Sequence, residues 1–144
     1  MTNVNVTKTI NVSAESAWEK LSTFKGIENF SPVAKSVVNG EGVGATRTCY
    51  MPDNAEINEV LNKLDNENME FEYAITSGPF PVEGYVSTVK VTAVDTNSCS
   101  ISWGCVFNAD DSHVADMSTL FGGFYNVIID SLETLIKKEV EAAV

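Results

Sequence analysis

The segment 120-LFGGFYNVIIDSLETLIKKEV-140 decides the fold, because the hydrophobic period changes there. Upstream, apolar residues alternate with polar ones. Here Leu120, Phe124, Val127, Ile128, Leu135 and Ile136 recur at helical spacing. Asp110, Asp111 and Ser112 supply capping groups and favourable charge at the start, and Lys137 and Lys138 suit the far end of a helix dipole. The spacing predicts one long helix over roughly residues 112–140. Gly122 and Gly123 interrupt it, at about 1 kcal/mol each relative to alanine in a helix interior. Such a pair reads as a bend, a close approach to a neighbouring element, or room for a bound molecule.

What precedes the helix is a sheet. Val4, Val6, Ile10 and Val12 alternate with Asn5, Thr7, Thr9 and Asn11, the pattern of a half-buried strand. Ser13 then caps a short helix, AESAWEKLS, whose apolar stripe is Ala14, Ala17, Trp18 and Leu21. A second short helix near GIENF ends before Pro32, since the residue preceding a proline avoids helical backbone. Six strands follow: AKSVV, ATRTCYM, AEINEVLNKL, MEFEYAITS, YVSTVKVTAV and CSISWGCVFNA, separated by Gly-, Pro-, Asn- and Asp-rich turns. Turns at this spacing join antiparallel neighbours. The expected class is α+β: a curved, antiparallel, seven-stranded sheet wrapped around the long C-terminal helix, with two short helices after the first strand. It forms a single domain over 1–144. A sheet with one apolar face must cover it, and only the long helix is large enough.

Composition narrows the function. Nine basic against twenty acidic residues give a formal charge of −11, which repels nucleic acid and anionic membrane surface. No stretch is long and apolar enough to span a bilayer, and the opening MTNVNVTKTI lacks the pattern of a signal peptide; the expected location is cytoplasmic. Cys49, Cys99 and Cys105 have neither metal-ligand nor CxxC spacing, so reduced, buried thiols are expected, with no metal and no cofactor. His113 is the only histidine.

Parity assigns faces. Met69, Phe71, Tyr73 and Ile75 share one face, as do Tyr85, Ser87, Val89, Val91 and Ala93, and then Ile101, Trp103, Cys105 and Phe107. Two ionisable residues break the inward pattern: Glu59 between Ile57 and Leu61, and Lys35 between Val33 and Val37. Buried charges are paired or wet, which suggests a Lys35–Glu59 pair. Arg47 shares parity with Cys49 and Met51, but a bulge at the neighbouring turn would move it outside, so its face is left open.

The order of elements, together with VSAESAWEKLSTF, GVGATRT, SGPFPVEGYVST and the aromatic-rich last helix, resembles the START-related helix-grip superfamily, in its polyketide cyclase/dehydrase and lipid-transport branch. The resemblance covers nearly the whole chain and implies an internal cavity between sheet and helix. Plant abscisic acid receptors belong to the same superfamily. VAKSV resembles their segment whose lysine meets the ligand carboxylate, which implies that role for Lys35. Asn58–Val60 places Glu59 where those receptors carry a glutamate in a polar water network. MPDNA and SGPFPV stand where the receptors have a gate and a latch, which implies mobile rims at Pro52, Asp53 and Asn54 and at Gly78, Pro79, Pro81 and Val82. The gate is shorter and lacks its Ser-Gly-Leu-Pro core, and the latch lacks its histidine and arginine, so hormone reception with phosphatase docking is not implied.

These readings converge on a small hydrophobic ligand, lipid-, polyketide- or hormone-like. The expected lining is Lys35, Glu59, Tyr73, Phe80, Tyr85, Trp103, Phe107, Phe124 and Val127, with Lys35 meeting an acidic or carbonyl group and Glu59 orienting Lys35 or binding a hydroxyl through water. A cyclase or dehydratase in the same cavity is the alternative. Lys35 would then stabilise an oxyanion and Glu59 would move protons. A domain with a collapsed pocket acting through partners is the third. The chain is expected to be a monomer or homodimer.

Overall fold

The computed structural model of the protein describes residues 1–142. Seven strands form one antiparallel sheet: β1 (Thr2–Ile10), β2 (Lys35–Asn39), β3 (Thr46–Tyr50), β4 (Glu56–Asp65), β5 (Glu70–Ser77), β6 (Glu83–Asp95) and β7 (Ser98–Asn108). Their order is β1-β7-β6-β5-β4-β3-β2, so every pair but β1–β7 is a neighbouring hairpin. Register shifts in β4, at Asn58/Glu59 and Leu61/Lys63, and others in β6 bend the strands. The sheet thus curves around α2 (Asp111–Ala142), a continuous helix of 32 residues, about 48 Å long at 1.5 Å per residue.

One short α-helix, α1 (Ala14–Leu21), follows β1. The Ser13 hydroxyl accepts from the Ser16 amide at 3.1 Å, a cap worth about 1 kcal/mol. Ala14, Ala17, Trp18 and Leu21 are the buried face. The second short helix expected near GIENF is a single 3-10 turn, Ile27–Asn29, entered through Gly26 at φ +75°.

The helix face differs from the expected stripe. Phe121, Tyr125, Ile128, Ile129, Leu132 and Ile136 are buried, whereas Leu120 and Val127 are each 45% exposed. The buried set is rotated around the helix axis relative to Leu120–Phe124–Val127. A Cβ added at Gly122 would stand in ordinary contact with Val4 at 3.7 Å, and one at Gly123 would meet nothing within 4 Å. The glycine pair therefore breaks neither the helix nor its packing.

A chain of aromatic contacts runs through the core. It passes from Trp18 to Phe71, Tyr73, Tyr85 and Phe121, with centroid separations between 5.0 and 6.4 Å. All three cysteines are free and buried. No described helix is long and apolar enough to cross a membrane.

Candidate functional site

The hairpin β3–β4 builds the polar end of the site. Its turn is tight: the Met51 amide donates to the Ala55 carbonyl at 2.9 Å and the Asn54 amide to the Met51 carbonyl at 2.8 Å. That closure fixes the register, so Arg47 stands directly opposite Glu59 and Cys49 opposite Ile57. Arg47, Cys49, Ile57 and Glu59 all face inward and are buried. Arg47 Nε donates to Glu59 Oε1 at 2.6 Å, and the Cys49 thiol donates to the same oxygen at 3.6 Å. The guanidinium lies 3.9 Å from the Phe24 ring centroid and 5.2 Å from that of Tyr73. Arg47 Nη1 donates to the Phe24 carbonyl at 3.3 Å, while Nη2 is buried without a protein partner.

Burial works against the Arg47 charge, but the facing Glu59 carboxylate outweighs it and the guanidinium is held above its ordinary range. Burial, reinforced by Glu59, pushes the Cys49 thiol up to about 12. Tyr73 rises to about 12 for the same two reasons. Burial also raises Tyr85 and Tyr125, whose hydroxyls hydrogen-bond each other. Trp103 Nε1 donates to the Tyr73 hydroxyl at 3.3 Å. At neutral pH these thiol and phenol groups are therefore protonated.

Between this end and α2 lies a cavity of about 90 Å³. Its wall comes from Cys49 and Met51 of the β3–β4 hairpin, Ile57 and Glu59 of β4, Tyr73 and Ile75 of β5, Tyr85 of β6 and Leu120, Phe121, Phe124 and Tyr125 of α2. Ile27, Val33 and Phe80 complete it from the connecting segments. Glu59 is the only charged residue of that wall. Met51, Ile75, Phe80 and Phe124 are half-buried and Leu120 is exposed, which places the mouth and gives it an apolar rim.

Glu59, Tyr73, Phe80, Tyr85 and Phe124 thus stand on the cavity wall. Lys35 does not. It is exposed on the outer face, its ammonium 5.9 Å from the Tyr50 ring centroid. The error has a physical source. Val33 is buried but precedes the strand, which begins at Lys35, so counting parity from Val33 inverts the face. In β2 the inward, half-buried residues are Ser36 and Val38, opposite Cys49 and Arg47. The pair expected between Lys35 and Glu59 is an Arg47–Glu59 pair, and the catalytic pairing of Lys35 with Glu59 does not assemble. β2 is an edge strand, and an outward lysine there blunts edge pairing.

Two further corrections concern the lining. Trp103 and Phe107 face inward but are 1% and 0% exposed, packed behind the wall against Tyr125 and Phe121 rather than on it. Val127 faces outward, on the exposed side of α2. Pro52, Asp53 and Asn54, the expected gate, are exposed at the turn beside Met51 of the cavity wall. In the β5–β6 connection, Gly78, Pro79 and Pro81 are exposed and Val82 is half-buried, while Phe80 folds back edge-on to Phe121 at 5.4 Å.

Some residues of the site were legible and missed. Phe121 and Tyr125 of the wall share a helical stripe with Leu132 and the already expected Ile136, at intervals of four, seven and four, as regular as the expected stripe. Arg47 was recoverable from hairpin arithmetic: if Met51 pairs with Ala55, then Arg47 pairs with Glu59. Among the described residues, no group of three or more His, Cys, Asp and Glu side chains is placed to hold a metal ion.

The family model described as polyketide cyclase / dehydrase and lipid transport matches residues 1–137. No curated protein matches the chain. Among solved structures, the protein XoxI from Bacillus cereus is 24% identical, with a TM-score of 0.85 over 94% of this chain and 96% of that one. A solution structure from Thermobifida fusca is 20% identical, with a TM-score of 0.86 over 96% and 95%. Norcoclaurine synthase from Thalictrum flavum, in complex with dopamine and hydroxybenzaldehyde, is 19% identical, with a TM-score of 0.79 over 95% and 87%. At these identities the likeness is one of fold.

Proposed function

Because this chain belongs to the polyketide cyclase / dehydrase and lipid transport family, we propose that it binds and carries a small, largely apolar molecule in the cavity between its sheet and α2. The observation that carries this reading is the wall itself: mostly aliphatic and aromatic side chains from four strands, α2 and the connecting segments, converging on one charged residue. That is the usual composition of a small-molecule site. Its volume of about 90 Å³ sets the scale. Engineered cavities of ~150 Å³ hold benzene, and ordinary ligand pockets run to ~300–1,000 Å³. The cavity accepts one ring or a short chain with slight expansion. A larger lipid- or polyketide-like molecule requires the rim to open, with Phe80 and the 78–82 segment as the moving part and the 52–54 turn as a lesser one. A negative charge of −11 makes nucleic acid a poor partner.

Carriage is favoured over turnover by the acid–base character of the wall. Cys49 and Tyr73 keep their protons to about pH 12, so neither offers a nucleophile or base at neutral pH. Lys35, the oxyanion stabiliser of the enzymatic alternative, lies on the other face of the sheet. The test is to purify the protein from its native host, extract it in denaturant and identify the released compounds by mass spectrometry. A reproducible apolar compound near one equivalent supports carriage. Turnover of a polyketide-like panel that disappears in Glu59→Gln would replace it with catalysis.

A further inference from the structure

Granting the binding reading above, we infer that the cavity selects a neutral ligand bearing a hydroxyl group, an alcohol or phenol of about single-ring size, whose proton is accepted by Glu59, and that Arg47 is the residue positioning that carboxylate. Four observations lead there.

Glu59 is the one charged residue on an otherwise apolar wall. Both protein donors, Arg47 Nε and Cys49 Sγ, go to Oε1. A carboxylate accepts about four hydrogen bonds, and neither of these donors goes to Oε2. Oε2 is therefore the acceptor available to a ligand.

Charge balance then selects among donors. The Glu59 charge is already matched by Arg47, 2.6 Å away and equally buried. A carboxylate ligand would place a second anion beside Glu59. An ammonium ligand would leave one net positive charge in a space that includes the Arg47 guanidinium. A hydroxyl serves Oε2 and adds no charge.

Arg47 cannot itself turn to the ligand. It is 4% exposed, packs against both the Phe24 and Tyr73 rings, and is tied to the Phe24 carbonyl by Nη1. It is absent from the cavity wall and acts through Glu59. The other polar groups on the wall are partly committed: Tyr85 and Tyr125 bond each other, and Tyr73 accepts from Trp103.

The experiment measures dissociation constants of the full chain at pH 7 for five probes of nearly one shape: toluene, benzaldehyde, phenol, benzylamine and benzoate. A hydrogen bond to a charged group predicts phenol binding at least about tenfold tighter than toluene. Phenol should also exceed benzaldehyde, which accepts but does not donate, and both charged probes. In Arg47→Met the phenol-to-toluene ratio should shift while toluene still binds, a readout that general loosening of the fold would not move. In the double variant Arg47→Met/Glu59→Leu, which keeps charge balance if the single variant does not fold, the ratio should fall to about one. If toluene binds and phenol binds no better, or if benzoate or benzylamine binds tightest, the inference is overturned and the carrier reading survives. If none of the five binds, the carrier reading itself fails. An unchanged ratio in Arg47→Met removes Arg47 from the account.

Discussion

Removing one half of the Arg47–Glu59 pair gives the largest stability effect expected from a single polar substitution in this protein. Both side chains are buried, at 4% and 8% exposure, and joined at 2.6 Å. In Glu59→Gln the guanidinium keeps its burial and loses its counter-charge; in Arg47→Met the carboxylate is stranded instead. Breaking a buried pair in this way costs about 3–5 kcal/mol, because an uncompensated charge remains. For a chain of this length about 1 kcal/mol moves Tm by roughly 3 °C, so each single variant should lose about 10–15 °C. The double variant Arg47→Met/Glu59→Leu carries no buried charge and should lie within about 1–2 kcal/mol of the parent, since apolar replacement of a buried pair is often neutral. Urea unfolding of the parent, two single variants and the double variant gives the coupling energy directly. Lys35→Met belongs in the same experiment. Its ammonium is exposed, so its loss should stay within about 0.5 kcal/mol. Single-variant losses below 0.5 kcal/mol, or a Lys35→Met loss as large as that of Glu59→Gln, would refute the pairing.

Three other expectations follow from particular groups. Alkaline conditions should unfold the protein through its buried acids: Cys49 and Tyr73 are raised to about 12 and Cys99 to about 11. Their neutral forms suit the fold, so full stability holds below the unfolded-state values near pH 9–10 and falls as pH climbs to about 12. Urea midpoints at pH 7, 9 and 11 should show the fall, whereas a flat profile would contradict the burial of these groups. Gly123→Ala should stabilise by about 0.5–1 kcal/mol, as its Cβ meets nothing and helix propensity rises; a loss of Tm would indicate a hidden contact. Phe80→Ala should speed ligand exchange, measured by stopped-flow with a fluorescent apolar probe, because this ring covers the mouth against Phe121. Unchanged exchange rates would place the entrance elsewhere.

Much of this architecture could be read from periodicity. β5, β6 and β7 alternate over long runs, so their inner faces were correctly assigned except at Ala93, which is exposed beside the register shift near the end of β6. Parity failed at β2, a five-residue edge strand whose preceding loop buries Val33. There, two residues of apparent alternation belonged to different backbone geometries. The lysine carried over from the hormone receptors failed at the same place. For α2, the apolar run Val127–Ile128–Ile129 fits two phases, and only the packing against the sheet chooses between them. Trp103 and Phe107 show the deeper limit. Parity reports that a side chain points inward, but whether the interior beside it is filled or open depends on where α2 lies over the sheet. The hairpin register, by contrast, was available in the sequence, and with it the Arg47–Glu59 pair.

The central claim is a cavity, between sheet and α2, that admits a small apolar molecule. Methyl-resolved NMR during a toluene titration tests it most directly. The account predicts saturable shifts at the methyls of Ile27, Val33, Ile57, Ile75 and Leu120, which line the cavity. It predicts none at Ile10, Val91 or Ile136, buried elsewhere in the core. Shifts that fail to saturate, or that gather at the second set, would contradict it.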